Sequence, residues 1–377
     1  MKFIHIVQFH LMSGGGVGSV ITDLCEAMAK DSSEVYVISL FRRDGIDFDA
    51  EKAWAERYGI HVLLMQDKPK YCPFRVLYKL RKTLKMLSLN DECCLYLHLK
   101  WGVLSGIVST LNLKNIRRVE VYHSGYMNYR LQAFLSKPFI NKYIAVSEDA
   151  KRQLEKWFYV ASDKIVVAYN GVDIEHIKRL AENPVEHKSE IAFLSVGRLS
   201  FEKGFLTSIE AFRNLQEGGK LHNCSYTMIG QGAQMDEAKA IGKGYVNFMG
   251  VIPRDSVYGN IAGCDVMILP SWWEGNSILL LEVLCVGKPL IVTDIPSFRE
   301  VLNFEPLHDD EIFRIESFGS VFRAKSVGSC ELAIMAIKEN IHRLDSMAKV
   351  VGCFADKYSI NKQAEVYKAV ATEVFSN

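Results

Sequence analysis

The chain has 377 residues, 49% of them hydrophobic and 24% charged, with a formal net charge of +1. That is ordinary globular composition, long enough for two domains with a core each, and it excludes a disordered or fibrous chain. A near-zero charge without an aromatic-basic motif also argues against a nucleic-acid partner. The balance is uneven along the chain: residues 1–185 carry 26 Lys plus Arg against 20 Asp plus Glu, the remainder 19 against 24, so the halves are +6 and −5. Nine cysteines without a C-x-x-C pair suggest neither a disulfide framework nor a zinc ribbon, and predict a reduced, cytoplasmic setting. The opening MKFIHIVQFH is too short and polar for a signal peptide, and charges interrupt every apolar run before about 18 residues, so no membrane span is expected.

Apolar strand-like runs alternate with helix-like segments from end to end, the pattern of parallel sheets wrapped by helices. In the first half FIHIVQF (3–9), VYVISL (35–40), CCLYLHL (93–99), VEVYH (119–123) and YIAVS (143–147) read as strands. Directly after the first comes SGGGVGSV (13–20), where glycines let backbone amides approach a ligand at a helix start. A dinucleotide fingerprint taken from Gly14 and Gly16 needs glycine at position 19, where Ser19 stands, which disfavours a nicotinamide oxidoreductase. Asp47 and Asp49 form a D-x-D triplet far in sequence from any phosphate motif, and we expect no metal there.

Residues 68–85 hold seven Lys or Arg and no acid, with Phe74, Leu77, Tyr78 and Leu84 at helical spacing. Such a helix either lies on anionic lipid or packs its apolar stripe on its own domain; the +6 half tips the reading toward a peripheral membrane contact. The polar, Pro-containing stretch 180–190 reads as a linker.

The strand pattern then begins afresh with IAFLSVG (191–197), SYTMIG (225–230), VNFMG (246–250), DVMILP (265–270) and PLIVTD (289–294). After its first strand, Arg198 and Lys203 in GRLSFEKG flank a short loop before a helix, a pairing that can hold a pyrophosphate and neutralise the charge developing as it leaves. IGQG places Gly230 at another strand end. In LPSWWEGNSILLLEVL, Glu274 precedes a helix and Glu282 lies two turns inside it, on an element otherwise apolar on nearly every side. A carboxylate there is costly unless partnered, and it can accept hydrogen bonds from the vicinal hydroxyls of a ribose.

These motifs, in this order, resemble the retaining GT-B glycosyltransferases of family four: the GGGVG loop, His123 in VYHSG, AVSE (145–148), NGVD (170–173), GRLSFEKG, IGQG and the E-x7-E element EGNSILLLE. The resemblance implies two Rossmann-like domains facing each other across a cleft. They would be an acceptor domain at 1–185, a nucleotide-sugar domain at 186–360, and a helix at 361–377 returning to the first. It further implies that Arg198 and Lys203 bind the donor diphosphate, Glu282 the ribose and Glu274 the donor sugar. Amides of Gly275, Asn276, Ser277 and Ile278 would meet sugar and phosphate, Gly15 and Gly16 would line the phosphate, Gly230 would lie near base or phosphate, and His123 near the anomeric carbon. Glu148 and Asn170 match mostly structural motifs. Past Ile295 the family's glycine-rich turn is replaced by PSFREVLNFEPLHDDEIFRIESFG, and no ligand contact is assigned there.

The expected activity is therefore a hexosyltransferase-type reaction with retention, moving a sugar from a nucleotide sugar, UDP favoured, to a glycan or lipid-linked saccharide, in bacterial surface polysaccharide or lipopolysaccharide assembly. No cofactor or metal is expected. A sugar-nucleotide epimerase of related architecture would share the diphosphate site; incubating donor alone separates the two.

Overall fold

The structure is a computed structural model that describes residues 1–376 apart from 10, 12–15, 43–47, 68–71 and 124–129, and omits the side chains of 130–132. Continuous apolar strands cannot face water, so each is buried between helices, and this happens twice. One unit comprises Met1–Gly171 with Ile360–Asn377, the other Val172–Ser359.

The first unit runs β1 (Lys2–Phe9), α1 (Gly16–Ala29), β2 (Glu34–Phe41), α2 (Phe48–Tyr58), β3 (His61–Gln66), α3 (Pro73–Leu87), β4 (Cys93–His98), α4 (Leu99–Thr110), β5 (Ile116–Tyr122), α5 (Arg130–Ser136), β6 (Lys142–Ala145), α6 (Glu148–Phe158) and β7 (Ile165–Val167). Its strands are parallel in the order β3-β2-β1-β4-β5-β6-β7. Ile4 and Ile6 of β1 share a core with Ile21, Leu24 and Met28 of α1.

The second unit runs α7 (Ile174–Ala181), β8 (Ile191–Val196), α8 (Phe205–Glu217), β9 (Cys224–Ile229), α9 (Met235–Ile241), β10 (Val246–Gly250), α10 (Arg254–Gly263), β11 (Val266–Leu269), α11 (Ile278–Val286), β12 (Leu290–Thr293), α12 (Pro296–Leu302), β13 (Phe313–Glu316), β14 (Gly319–Phe322), α13 (Val327–Glu339) and α14 (Leu344–Gly352). The order is β10-β9-β8-β11-β12-β14-β13, parallel except for the antiparallel β13–β14 pair.

The closing helix α15 (Ile360–Ser376) lies in the first unit, where Tyr96 donates to the Tyr367 carbonyl at 2.6 Å and Arg117 to that of Val374 at 2.9 Å. The division between units falls at Gly171, ahead of the polar 180–190 segment and not at residue 185. The reason is packing: α7 lies against α10 and α11, and the Val185 amide donates to the Gly259 carbonyl at 3.0 Å. The AVSE and NGVD motifs are helix starts, with Ser147 capping α6 through the Ala150 amide and Asp173 capping α7 through that of His176. Glu148 stands in the first turn of α6, and Asn170 is buried.

In each sheet the chain reverses its direction of travel between two central strands, β1 and β4 in one, β8 and β11 in the other. The carboxyl ends of such strand pairs are where doubly wound sheets bind ligands.

Candidate active site

In the second unit, glycines let the loops at the carboxyl ends of β8 and β9 interlock. Gly230 has φ of 136°, and a Cβ there would stand 1.8 Å from the Gly197 carbonyl oxygen. A Cβ on Gly232 would stand 2.2 Å from that of Leu199, whose own amide donates to Gln231 at 3.1 Å. The motifs GR and IGQG are thus one packed assembly, which fixes where Arg198 and Lys203 begin.

The Lys203 loop is then fastened to the end of β11. Gly204 is left-handed at φ 64°, and a Cβ on it would meet the Pro270 carbonyl oxygen at 2.2 Å. The Trp272 amide donates to the Glu202 carbonyl at 2.8 Å, and Phe201 sits edge-on to the Trp272 ring at 4.1 Å. This brings Lys203 Nζ to 2.6 Å from Glu274 Oε1, which also accepts from Ser271 Oγ at 2.8 Å. The pair joins the carboxyl ends of the two neighbouring strands at the reversal point.

Arg198 does not join that pair. Its side chain is 67% exposed, and the guanidinium reaches Glu202 at 3.1 Å, itself held by Ser200 Oγ at 2.6 Å. Those donors keep the Glu202 carboxyl below the usual glutamate range despite the opposing, and largest, influence of partial burial.

Ser277 caps α11 by accepting from the Leu280 amide at 3.4 Å, and the helix places Leu280, Leu281, Val283 and Leu284 in the interior. Asn276 and Ser277 are buried, while Gly275 and Ile278 remain partly accessible. Glu282 is buried too, and its compensation comes from α10: Tyr258 donates to Oε1 at 2.9 Å and Arg254 at 3.2 Å. Sequence spacing identified the odd charge but not these partners. Tyr258 and Arg254 sit one helical turn apart, a signal readable only once Glu282 is known to face that helix. Lys325 stands over the Trp272 ring at 4.8 Å and lies in a loop with no motif of its own, so no sequence signal marks it.

In the first unit, Gly16 opens α1 with nothing near a would-be Cβ, whereas Gly18 must be glycine because a Cβ would lie 2.5 Å from the Leu11 carbonyl oxygen. Gly15 lies outside the described residues. His123, just past β5, has its Nε2 at 2.9 Å from His98 Nδ1, and burial pulls it down to about 4.

Asp49 is in the first turn of α2, bonded to Lys52 at 2.7 Å, and Asp47 is outside the described residues. Among the described residues no cluster of three or more His, Cys, Asp or Glu has metal-binding geometry, and no helix is long and apolar enough to cross a membrane.

Of the 68–85 segment, residues 68–71 lie outside the description and the rest begins α3. Its buried stripe is Val76, Leu80, Leu84 and Leu87, while Phe74 and Tyr78 point outward, so the apolar positions expected on one face divide between two.

Residues 14–176 match the family described as Glycosyltransferase Family 4, and residues 177–305 match Glycosyl transferases group 1. An uncharacterised glycosyltransferase of Methanocaldococcus jannaschii is 26% identical over 176 residues, which is 43% of this chain and 44% of that protein. The UDP-Gal:alpha-D-GlcNAc-diphosphoundecaprenol alpha-1,3-galactosyltransferase of Escherichia coli is 29% identical over 177 residues, 44% of this chain and 45% of that one. The matched stretch thus spans under half the length of either relative. The structure of Anabaena HepE, in complex with UDP and glucose, superposes with a TM-score of 0.75 at 17% identity, covering 99% of this chain and 100% of that one.

Proposed function

Because the chain belongs to the family-four, group 1 glycosyltransferases of GT-B fold, we infer that it moves a sugar from a nucleotide-sugar donor, UDP-linked in the favoured case, to a glycan or lipid-linked saccharide. The transfer proceeds with retention and without a metal, and serves the assembly of a bacterial surface polysaccharide. The relative acting on a diphosphoundecaprenol-linked sugar supports the lipid-linked acceptor.

One observation carries the reading: the Lys203–Glu274 pair at the carboxyl ends of β8 and β11. A donor diphosphate competes with Glu274 for the lysine. As Lys203 turns to the phosphate, Glu274 keeps Ser271 and gains the capacity to accept from a sugar hydroxyl. Arg198, exposed and paired with Glu202 on its own loop, adds a second cation. Glu282, aimed by Tyr258 and Arg254, takes ribose hydroxyls; amides of Gly275 to Ile278 at the α11 start take sugar and phosphate, and Gly230 allows close approach. The family resemblance adds a phosphate-lining role for Gly15 and Gly16 and a place near the anomeric carbon for His123.

Charge on the departing nucleoside diphosphate is then met by Arg198, Lys203 and helix amides, which removes the need for a metal. The leaving phosphate accepts the acceptor hydroxyl's proton as the new glycosidic bond forms on the face from which the old one breaks. We place the enzyme on the inner face of the cell membrane, resting through α3.

A panel of nucleotide sugars screened by thermal shift, followed by product anomer assignment by NMR with EDTA present, tests this. A melting-point rise with one UDP-sugar and a product of retained configuration is expected. An inverted product, or activity abolished by EDTA, overturns the corresponding part.

A further inference from the structure

Three histidines on neighbouring strands stand in line through the first unit. His5 lies within β1, His98 ends β4 and His123 follows β5, and these strands are adjacent in the sheet. His5 Nδ1 is 3.0 Å from His98 Nε2, and His98 Nδ1 is 2.9 Å from His123 Nε2. Burial holds His5 down to about 3 and His123 to about 4, and keeps His98 well below the ordinary imidazole range. All three are neutral at pH 7, so each ring has one N–H and one bare nitrogen.

Each hydrogen bond uses an N–H of one ring and a lone pair of the next. The two bonds therefore point the same way, leaving one N–H at one end of the row and one bare nitrogen at the other. The ends are unequal. His5 Nε2 is buried with no hydrogen-bond partner among the described residues. The His5 ring is within 31° of parallel to Tyr96 and 19° of parallel to Tyr367, so its in-plane Nε2 aims at neither π face. An orphaned buried N–H is the rarer arrangement, and a bare lone pair is tolerated better. His123, partly exposed at the carboxyl end of β5, is the end that a ligand can reach.

We propose that His5 and His98 are positioning residues that hold His123 as its Nδ1–H tautomer, so that it meets an oxygen of the transferred sugar or acceptor as a hydrogen-bond donor and not as a base. The tautomer stands on the histidine geometry alone; the sugar-facing role rests on the glycosyltransferase reading above.

Ring-nitrogen NMR on histidine-labelled full-length protein, without nucleotide sugar, tests the first half, with His123 assigned by its loss in His123→Gln. A protonated Nδ1 and bare Nε2 on His123 are expected. In His98→Leu the proton should redistribute to Nε2, and in His98→Asn, whose amide can replace the missing donor, Nδ1–H should return. An Nε2–H on wild-type His123 overturns the proposal whether or not the variants fold, as does an unchanged tautomer in folded His98→Leu. For the second half, His98→Leu should lower kcat about tenfold with donor Kd held within about twofold, and His98→Asn should recover much of the loss. An unchanged kcat removes the sugar-facing role and leaves the tautomer standing. A wild-type protein inert toward every nucleotide sugar overturns the glycosyltransferase reading instead.

Discussion

Lys203 Nζ and Glu274 Oε1 lie 2.6 Å apart, joining the loops that follow β8 and β11, so that each charge neutralises the other. Neither side chain is fully buried, so the pair itself stabilises the fold only modestly, on the order of 1 kcal/mol or less. Under the proposed function its value is in exchange: a lysine already partly buried and already aimed would lose little freedom if a phosphate replaced the carboxylate. Lys203→Ala should therefore lower kcat/KM by about one to two powers of ten, corresponding to roughly 1.5–3 kcal/mol for a charge-assisted bond. Melting temperature should hardly move. Steady-state kinetics with the preferred donor checks this, and an unaffected rate removes Lys203 from the site.

Glu282 calls for a different test, since two of its partners, Tyr258 and Arg254, come from α10. Tyr258→Phe deletes a buried 2.9 Å hydrogen bond to Oε1 while keeping the ring. Loss of that restraint should weaken donor binding up to about tenfold by calorimetry, as one neutral-to-charged hydrogen bond allows. Glu282→Gln should weaken it at least as much. If Tyr258→Phe binds donor as tightly as wild type, Glu282 is held by something else.

How much of this was legible in the chain depends on where the decisive contact lies. Central strands such as β1 and β2 are buried on both faces over Phe3–Val7 and Val35–Leu40, so their apolar runs stand out, and the ends read from the sequence differ from the structure by a residue or so. The edge strand β3, with His61 exposed and Val62 to Leu64 half-buried, lacks that signal, and so does β13, where Arg314 and Glu316 alternate with Phe313 and Ile315. In the sequence Gly204 stands at a helix start and Gly230 at a strand end, but their true constraint is a carbonyl from elsewhere in the fold, that of Pro270 or Gly197, which no local pattern reveals. The row His5, His98, His123 is spread over more than a hundred positions and exists only through strand order.

Glycine tests separate packing from ligand approach. Gly230→Ala would force a Cβ to 1.8 Å from the Gly197 carbonyl oxygen at a φ of 136°, so the β8 and β9 loops must part. We expect a loss of at least about 2 kcal/mol in stability, together with lost donor binding. Gly16→Ala meets nothing within 4 Å. It should leave thermal stability unchanged or slightly raised, while weakening donor binding if backbone amides there approach phosphate. Paired denaturation and binding curves for the two variants distinguish the cases, and a destabilised Gly16→Ala would contradict the second.

Glu120 on β5 gives a pH test. It is buried, its Oε2 has no hydrogen-bond partner among the described residues, and burial raises its pKa to about 7. For an acid raised in the folded state, the unfolded chain ionises first. Stability is thus highest below about pH 4.5 for this group and falls as pH rises toward 7. Glu120→Gln should abolish that fall, gaining at most about 3 kcal/mol at pH 8 and little near pH 4.5. His5 and His123, held to about 3 and about 4, act oppositely and remove stability as pH drops below about 6.5. Urea denaturation of wild type and Glu120→Gln across this range resolves the two, and equal stability of both at pH 8 would show that Glu120 is not strained.

The α3 surface offers the last test. Its inward stripe of Val76, Leu80, Leu84 and Leu87 already satisfies the core, yet Phe74 is 82% and Tyr78 73% exposed, one turn apart among Arg75, Lys79, Lys82 and Lys85. Aromatic rings beside cations are what an anionic lipid surface rewards, at about 1 kcal/mol per basic residue near the headgroups. Trp101 on α4, which packs against α3, and Phe134 and Leu135 on α5, which packs against α4, are further exposed apolar side chains of this unit. The protein should co-sediment with vesicles containing phosphatidylserine and be released by high salt. Lys82→Glu with Lys85→Glu should weaken binding by well over tenfold, and Phe74→Ser with Tyr78→Ser should weaken it at low salt too, with melting temperature unchanged in both. Binding that ignores all four substitutions, or that persists on neutral vesicles, would move the contact elsewhere; no binding to anionic vesicles at all would end the proposal for α3.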